Sequence, residues 1–128
     1  MVYSCAYFDS PTDGLNSAQR RKLDYICRKL RLSAGQRLLD IGCGCGGLVL
    51  HAAKHYGVHA TGITLSERQA LEARMRIAAE GIEATTDIRV CDYRDLTAEA
   101  DHYDAIVSVG MAEHVGREQL SKYFAIAW

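Results

Sequence analysis

The segment Leu38-Leu39-Asp40-Ile41-Gly42-Cys43-Gly44-Cys45-Gly46-Gly47-Leu48 constrains the fold most, because an apolar run passes directly into glycines and then into a helical pattern. Glycine tolerates positive φ and has no Cβ, so backbone at such a turn can approach a ligand closely. The helix that follows offers unpaired N–H groups at its start. Parallel sheets that bind nucleotides carry this arrangement at the carboxyl ends of their strands. An ordinary tight strand-to-helix junction can also produce it, so the glycines alone do not fix a function.

The rest of the chain supplies the matching pattern. Leu23, Ile26, Cys27 and Leu30 fall at i, i+3, i+4 and i+7, which predicts an amphipathic helix over 16–32 with its basic residues outward. Ala34-Gly35 turns the chain into a strand over 37–41, and a helix over 47–56 is closed by Gly57. A second strand is expected over 58–63. A second helix is expected over 66–80, with Ala70, Leu71, Ala73, Ile77 and Ala78 on one side and Arg74 interrupting them. Residues 88–91 and 104–109 read as a third and a fourth strand, the fourth apolar on both faces as in a buried parallel sheet. A further helix begins within 117–128. Strands alternating with helices predict an α/β domain with right-handed crossovers and a doubly wound parallel sheet.

Composition narrows the possible partners. With 15 basic and 16 acidic residues in 128, no strong field favours nucleic acid, while local patches that suit a membrane surface cancel in such a sum. No apolar run approaches the roughly 20 residues that span a bilayer, so no transmembrane segment is expected. The amino end also lacks a basic stretch followed by an apolar one, and a cytoplasmic location is expected. The five cysteines, Cys5, Cys27, Cys43, Cys45 and Cys91, are odd in number and scattered, which suits reduced thiols. Cys43-x-Cys45 is too short for a zinc site. His51 and His55 share a helix face without a third ligand and read as a solvated face, so no metal is predicted.

The glycine segment departs from the dinucleotide fingerprint G-x-G-x-x-G and looks like the first motif of class I S-adenosylmethionine (SAM) methyltransferases. Four further segments narrow that resemblance: Tyr3-Ser4-Cys5-Ala6-Tyr7-Phe8, Gly62-Ile63-Thr64-Leu65-Ser66-Glu67-Arg68-Gln69, Asp92-Tyr93-Arg94-Asp95-Leu96, and Ser108-Val109-Gly110-Met111-Ala112-Glu113-His114-Val115-Gly116. In this order, over nearly the whole chain, they resemble the cyclopropane-fatty-acyl-phospholipid synthase family, which includes the mycolic acid cyclopropane synthases. The resemblance implies an incomplete, Rossmann-like SAM methyltransferase domain over 1–128, holding the first four strands in the order 3-2-1-4. It implies that the later strands and the acyl-binding region are absent, which would leave the fourth strand an exposed edge open to self-association. The reaction it implies transfers a methylene from SAM to a cis double bond of an unsaturated phospholipid acyl chain, at the inner face of a membrane.

The same resemblance distributes the site residues. Gly42 and Gly44 would meet the methionine end of SAM, Thr64 and Gln69 would contact the ribose, and Leu65 would also contact the cofactor. No acid stands at the second strand tip before Glu67, so an oxygen and an amide would replace the usual carboxylate. Ser66 and Gln69 also have the spacing of a capping box, an alternative reading of the same residues. Asp92 and Tyr93 would contact adenine, or form a solvated turn. Tyr3 and Ser4 would close over the cofactor. A bound bicarbonate would act as base, held by the backbone N–H of Cys5 and by Glu113; a plain buried thiol and a helix cap are the respective alternatives. His114 reads as an orienting or structural histidine. Two positions depart from the family pattern, Cys45 where tryptophan is common and Ala112 where phenylalanine is common. A small-molecule amine methyltransferase and a non-catalytic SAM-binding module that pairs through its sheet edge are the competing functions.

Overall fold

The computed structural model describes residues 2, 4–96 and 102–127. Helix α1 (Leu15–Lys29) buries Ala18, Leu23 and Cys27. It stops short of residue 32 because Arg31 turns to φ 53, which lets the Leu32 N–H reach the Cys27 carbonyl at 3.2 Å. Strand β1 (Arg37–Ile41), helix α2 (Gly47–Tyr56), strand β2 (His59–Thr64) and helix α3 (Glu67–Glu80) follow. Both helices end on glycines in the left-handed region, Gly57 and Gly81, each at φ 65. Strand β3 (Thr86–Val90), strand β4 (Ala105–Val107) and helix α4 (Leu120–Ala127) complete the order.

The sheet is parallel with the order β3-β2-β1-β4, the doubly wound arrangement expected. In the central register Asp40 lies beside Gly62 on one side and Val107 on the other. Because side chains alternate along a strand, β1 feeds two cores. Leu38 packs with Val49, Val58, Ala60 and Ile88 under α1, α2 and α3, whereas Leu39 and Ile41 pack with Ile63, Leu96 and Tyr123 on the opposite face. Both leucines are fully buried, each worth about 1.5–3 kcal/mol relative to an exposed position.

Four local readings are corrected. Strand β4 is shorter than 104–109: beyond Val107 the Ser108 hydroxyl turns back to donate to the Ile41 carbonyl at 2.9 Å, and Gly110 adopts φ 71. Its residues are half-buried rather than enclosed on both faces. The apolar stripe of α3 is narrower than expected, since Ala70, Ala73 and Ile77 are buried but Leu71 is 60% exposed. Arg74, on the same helix, reaches the Ile88 carbonyl at 2.6 Å and so ties α3 to β3. The His51 side chain is only 9% exposed, not solvated. Its Nε2 lies 3.0 Å from Asp24 Oδ1, which also accepts the Tyr56 hydroxyl at 3.1 Å, so a polar clasp joins α1 to α2. Among the described residues no helix is long and apolar enough to cross a membrane.

Candidate cofactor and active site

A cavity of about 620 Å³ opens where the carboxyl ends of β1 and β2 meet the inner face of α1, the segment around Ser4 and the loop after β4. The turn after β1 forms its floor. The N–H groups of Gly42 and Cys43 both donate to the Ile63 carbonyl, at 3.0 and 2.9 Å, so the β1–β2 ladder runs on into the turn. Gly42, Gly44 and Gly46 then take φ of 79, 55 and 72, values that L side chains strain to adopt. A Cβ on Gly42 would come within 3.0 Å of Met111 Cβ, whereas one on Gly44 would meet nothing within 4 Å. Gly44 therefore presents bare backbone to open space in the cavity wall. From α3, Arg76 Nη1 donates to the Cys45 carbonyl at 2.8 Å and braces the turn from outside.

At the tip of β2, Thr64 is buried and its hydroxyl donates to Gln69 Oε1 at 2.9 Å. Leu65 beside it is 72% exposed. The capping box forms only in half: Ser66 Oγ accepts the Gln69 N–H at 3.3 Å, but the Ser66 N–H goes to Thr64 Oγ1 at 3.2 Å. The Gln69 side chain is thus held by Thr64 rather than folded back on the helix, and its amide NH₂ remains a donor. Thr64, Leu65 and Gln69 all line the cavity.

Tyr93 also lines it, with its ring edge-on to buried Tyr123 at 5.3 Å. Asp92 is not brought to the wall. Its carboxylate accepts Arg94 Nε at 2.9 Å, Nη2 at 2.5 Å and the Arg94 N–H at 2.9 Å, and these bonds to Arg94 hold its carboxyl below the usual range. Ser4 and Cys5 lie on the cavity on the α1 side, and Glu113 and His114 in the short turn Ala112–His114 after β4. Cys5 is exposed, not a buried thiol. No side-chain bond from Glu113 caps the turn at Arg117–Gln119. Tyr3 lies outside the described residues. Of the two departures from the family pattern, Cys45 is 2% exposed and lines the cavity, while Ala112 is exposed and does not.

Two cavity residues escaped the sequence reading. Asp40 is 4% exposed, and burial pushes its carboxyl up from 3.8 to about 7; an acid inside an otherwise apolar strand was the available signal. Lys22 sits on the wall with its Nζ 2.6 Å from Ser4 Oγ. Its spacing of four from both Ala18 and Ile26 places it on the inner side of α1, which separates it from the outward basic residues.

The sequence model described as "Mycolic acid cyclopropane synthetase" matches residues 1–128. The chain is 50% identical over 123 residues to a probable fatty acid methyltransferase of Pseudomonas putida, covering 96% of this chain and 31% of that protein. It is 49% identical over 126 residues to the cyclopropane-fatty-acyl-phospholipid synthase of Escherichia coli strain K12, covering 98% and 31%. The chain thus spans about a third of the length of these relatives. Among solved structures it matches mycolic acid cyclopropane synthase CmaA1, complexed with SAH and CTAB, at a TM-score of 0.90 and 34% identity, covering 98% of this chain and 43% of that one. It matches coclaurine N-methyltransferase, bound to N-methylheliamine and SAH, at a TM-score of 0.85 and 28% identity, covering 97% and 37%. Because that family model runs from the first residue to the last, the chain belongs to the mycolic acid cyclopropane synthetase family.

Proposed function

We propose that this chain forms the cofactor-binding half of a SAM-dependent methyltransferase that acts on the cis double bond of an unsaturated phospholipid acyl chain. The observation that carries the reading is convergence. Residues from five separate stretches of sequence, Ser4 and Cys5, Gly42 and Gly44, Thr64 with Leu65 and Gln69, Tyr93, and Glu113, line one cavity at the strand tips.

The residues fit SAM on independent grounds. The space facing Gly44 leaves room for backbone to approach a ligand. A buried carboxylate at Asp40, in none of the ion pairs found among the described residues, suits a cationic ligand. When bound, SAM supplies a methyl group on a sulfonium that is already a good leaving group. The protein's part is then to align the acceptor, exclude water and hold a proton acceptor. Gly42 and Gly44 would receive the methionine end, Thr64 and Gln69 the ribose, and Tyr93 a face of the adenine, with Leu65 also against the cofactor. Asp92 would reach the exocyclic amine only by exchanging its bonds to Arg94. Cys5 through its N–H, and Glu113, would hold a bicarbonate that takes up the proton released as the ring closes. The substrate would be met at a membrane surface, and the β4 edge would offer a pairing surface to a second chain.

Calorimetric titration with SAM tests the reading. Saturable binding of one SAM per chain, abolished in Gly44→Val with the fold retained by circular dichroism, supports it. An absence of binding by the folded wild type overturns it. Turnover is tested with vesicles of unsaturated phospholipid. Gain of one CH₂ per acyl chain supports the lipid substrate, and methylation of small amines in its place would favour the reading suggested by the resemblance to coclaurine N-methyltransferase.

A further inference from the structure

We infer that Lys22 is the residue that binds the carboxylate of the cofactor's methionine end, an assignment that rests on the SAM reading above. Among the described residues lining the cavity Lys22 is the sole lysine or arginine, and the same wall holds two carboxylates, Asp40 and Glu113. With both acids ionised the wall carries a net charge of minus one. SAM carries a sulfonium, an ammonium and a carboxylate, hence plus one. The wall is therefore complementary to the ligand in total charge, and it offers one ammonium for the ligand's one anionic group.

The neighbourhood of Lys22 points the same way. Its Nζ bonds Ser4 Oγ at 2.6 Å and lies 3.3 Å from the Ser4 carbonyl, both uncharged oxygens. Two cations next in sequence to cavity residues are neutralised, Arg21 by Asp9 and Asp13 and Arg94 by Asp92. No ion pair among the described residues includes Lys22. The Ser4 carbonyl does not depend on it either, because Gln19 Nε2 already donates there at 2.9 Å. Burial lowers the lysine's pKa, the behaviour of an ammonium that lacks a counter-ion. An anion arriving beside Ser4 would supply one and form a charge-assisted hydrogen bond. A purely structural lysine would instead serve to tie the segment around Ser4 to α1, and the two roles separate by experiment.

Dissociation constants are measured by calorimetry for SAM and for decarboxylated SAM, which differ only in the carboxylate, with wild type, Lys22→Met and Lys22→Arg. The expected result is that wild type prefers SAM by roughly 10- to 100-fold and that Lys22→Met loses this preference by weakening SAM alone. Lys22→Arg should restore most of it. Equal weakening of both ligands in Lys22→Met would overturn the assignment in favour of a tether. A wild-type ratio near one would overturn it without recourse to any variant, so the test survives a variant that fails to fold. Wild type that binds neither ligand would overturn the SAM reading itself, an outcome distinct from binding both equally.

Discussion

The hydroxyl of Thr64, the last residue of β2, donates to the side-chain oxygen of Gln69 in the first turn of α3 at 2.9 Å. The bond fixes which end of the Gln69 amide faces outward: with the oxygen occupied, the NH₂ is what remains for a ligand. Thr64→Val keeps the shape of the strand tip and removes the donor. The amide then rotates freely, the Ser66 N–H also loses its acceptor, and each neutral hydrogen bond lost is about 0.5–1.5 kcal/mol. SAM affinity should fall by roughly 3- to 10-fold, with only a small fall in the thermal midpoint because Ser66 still caps α3. A large drop in midpoint with unaltered affinity would show that the bond serves the fold instead.

Gly62 explains how the glycine turn can sit so tightly on its neighbour strand. A Cβ there would lie 2.8 Å from both Cβ and Sγ of Cys43 and 2.9 Å from Val49 Cγ2, all closer than real contacts. Gly62→Ala should destabilise the protein by about 1–3 kcal/mol, the range for overpacking a closed core. Cys43→Ala in the same chain should recover only part of that loss, since it removes the sulfur contact and leaves the Cβ contact. Urea unfolding of the two variants and the double variant checks both statements.

Arg76 braces the turn from α3 through the Cys45 carbonyl at 2.8 Å. Arg76→Met keeps most of the side-chain stem and leaves that carbonyl without its charged donor, a loss of about 1.5–3 kcal/mol when the donor is a charged group. We expect weaker SAM binding together with faster amide exchange at Gly44 to Gly47, read by hydrogen–deuterium exchange. Weaker binding with unchanged exchange would argue against a bracing role.

Much of this architecture was legible in the sequence because periodicity and glycines report it directly. The stripe at Leu23, Cys27 and Leu30 gave α1, and Gly57 and Gly81 marked where α2 and α3 stop. Parallel order followed from alternation together with the family motifs. What escaped depends on contacts between residues distant in sequence. His51 is drawn from solvent by Asp24, 27 positions away, and no helical wheel of α2 contains that partner. Arg74 reads as an interruption of a stripe, yet it reaches the Ile88 carbonyl, and Arg76 on the same helix reaches that of Cys45. Asp92 matched a motif position, but the neighbour that occupies its carboxylate, Arg94, is set by turn geometry rather than by residue type. Lys22 looked like one of a run of basic residues, and only the three-dimensional course of the segment around Ser4 separates it from them.

Asp40 makes stability depend on pH in the direction opposite to an ordinary ion-paired carboxylate. Burial raises its carboxyl from 3.8 to about 7 in the folded protein. Between these values the unfolded chain releases the proton while the folded chain keeps it. Folded protein therefore binds more protons, and its stability falls as pH rises through that window and levels off above about pH 7. The full span is on the order of 4 kcal/mol. Asp40→Asn removes the titrating group, so its stability relative to wild type should improve steadily from about pH 4 to about pH 8, as measured by urea unfolding across that range. Binding should show the complement: near pH 6 a cationic ligand favours the ionised carboxylate and expels its proton, while Asp40→Asn expels none. Calorimetry of SAM binding in buffers of differing ionisation enthalpy measures the released proton directly. Release unchanged in Asp40→Asn would place the titrating group elsewhere in the cavity.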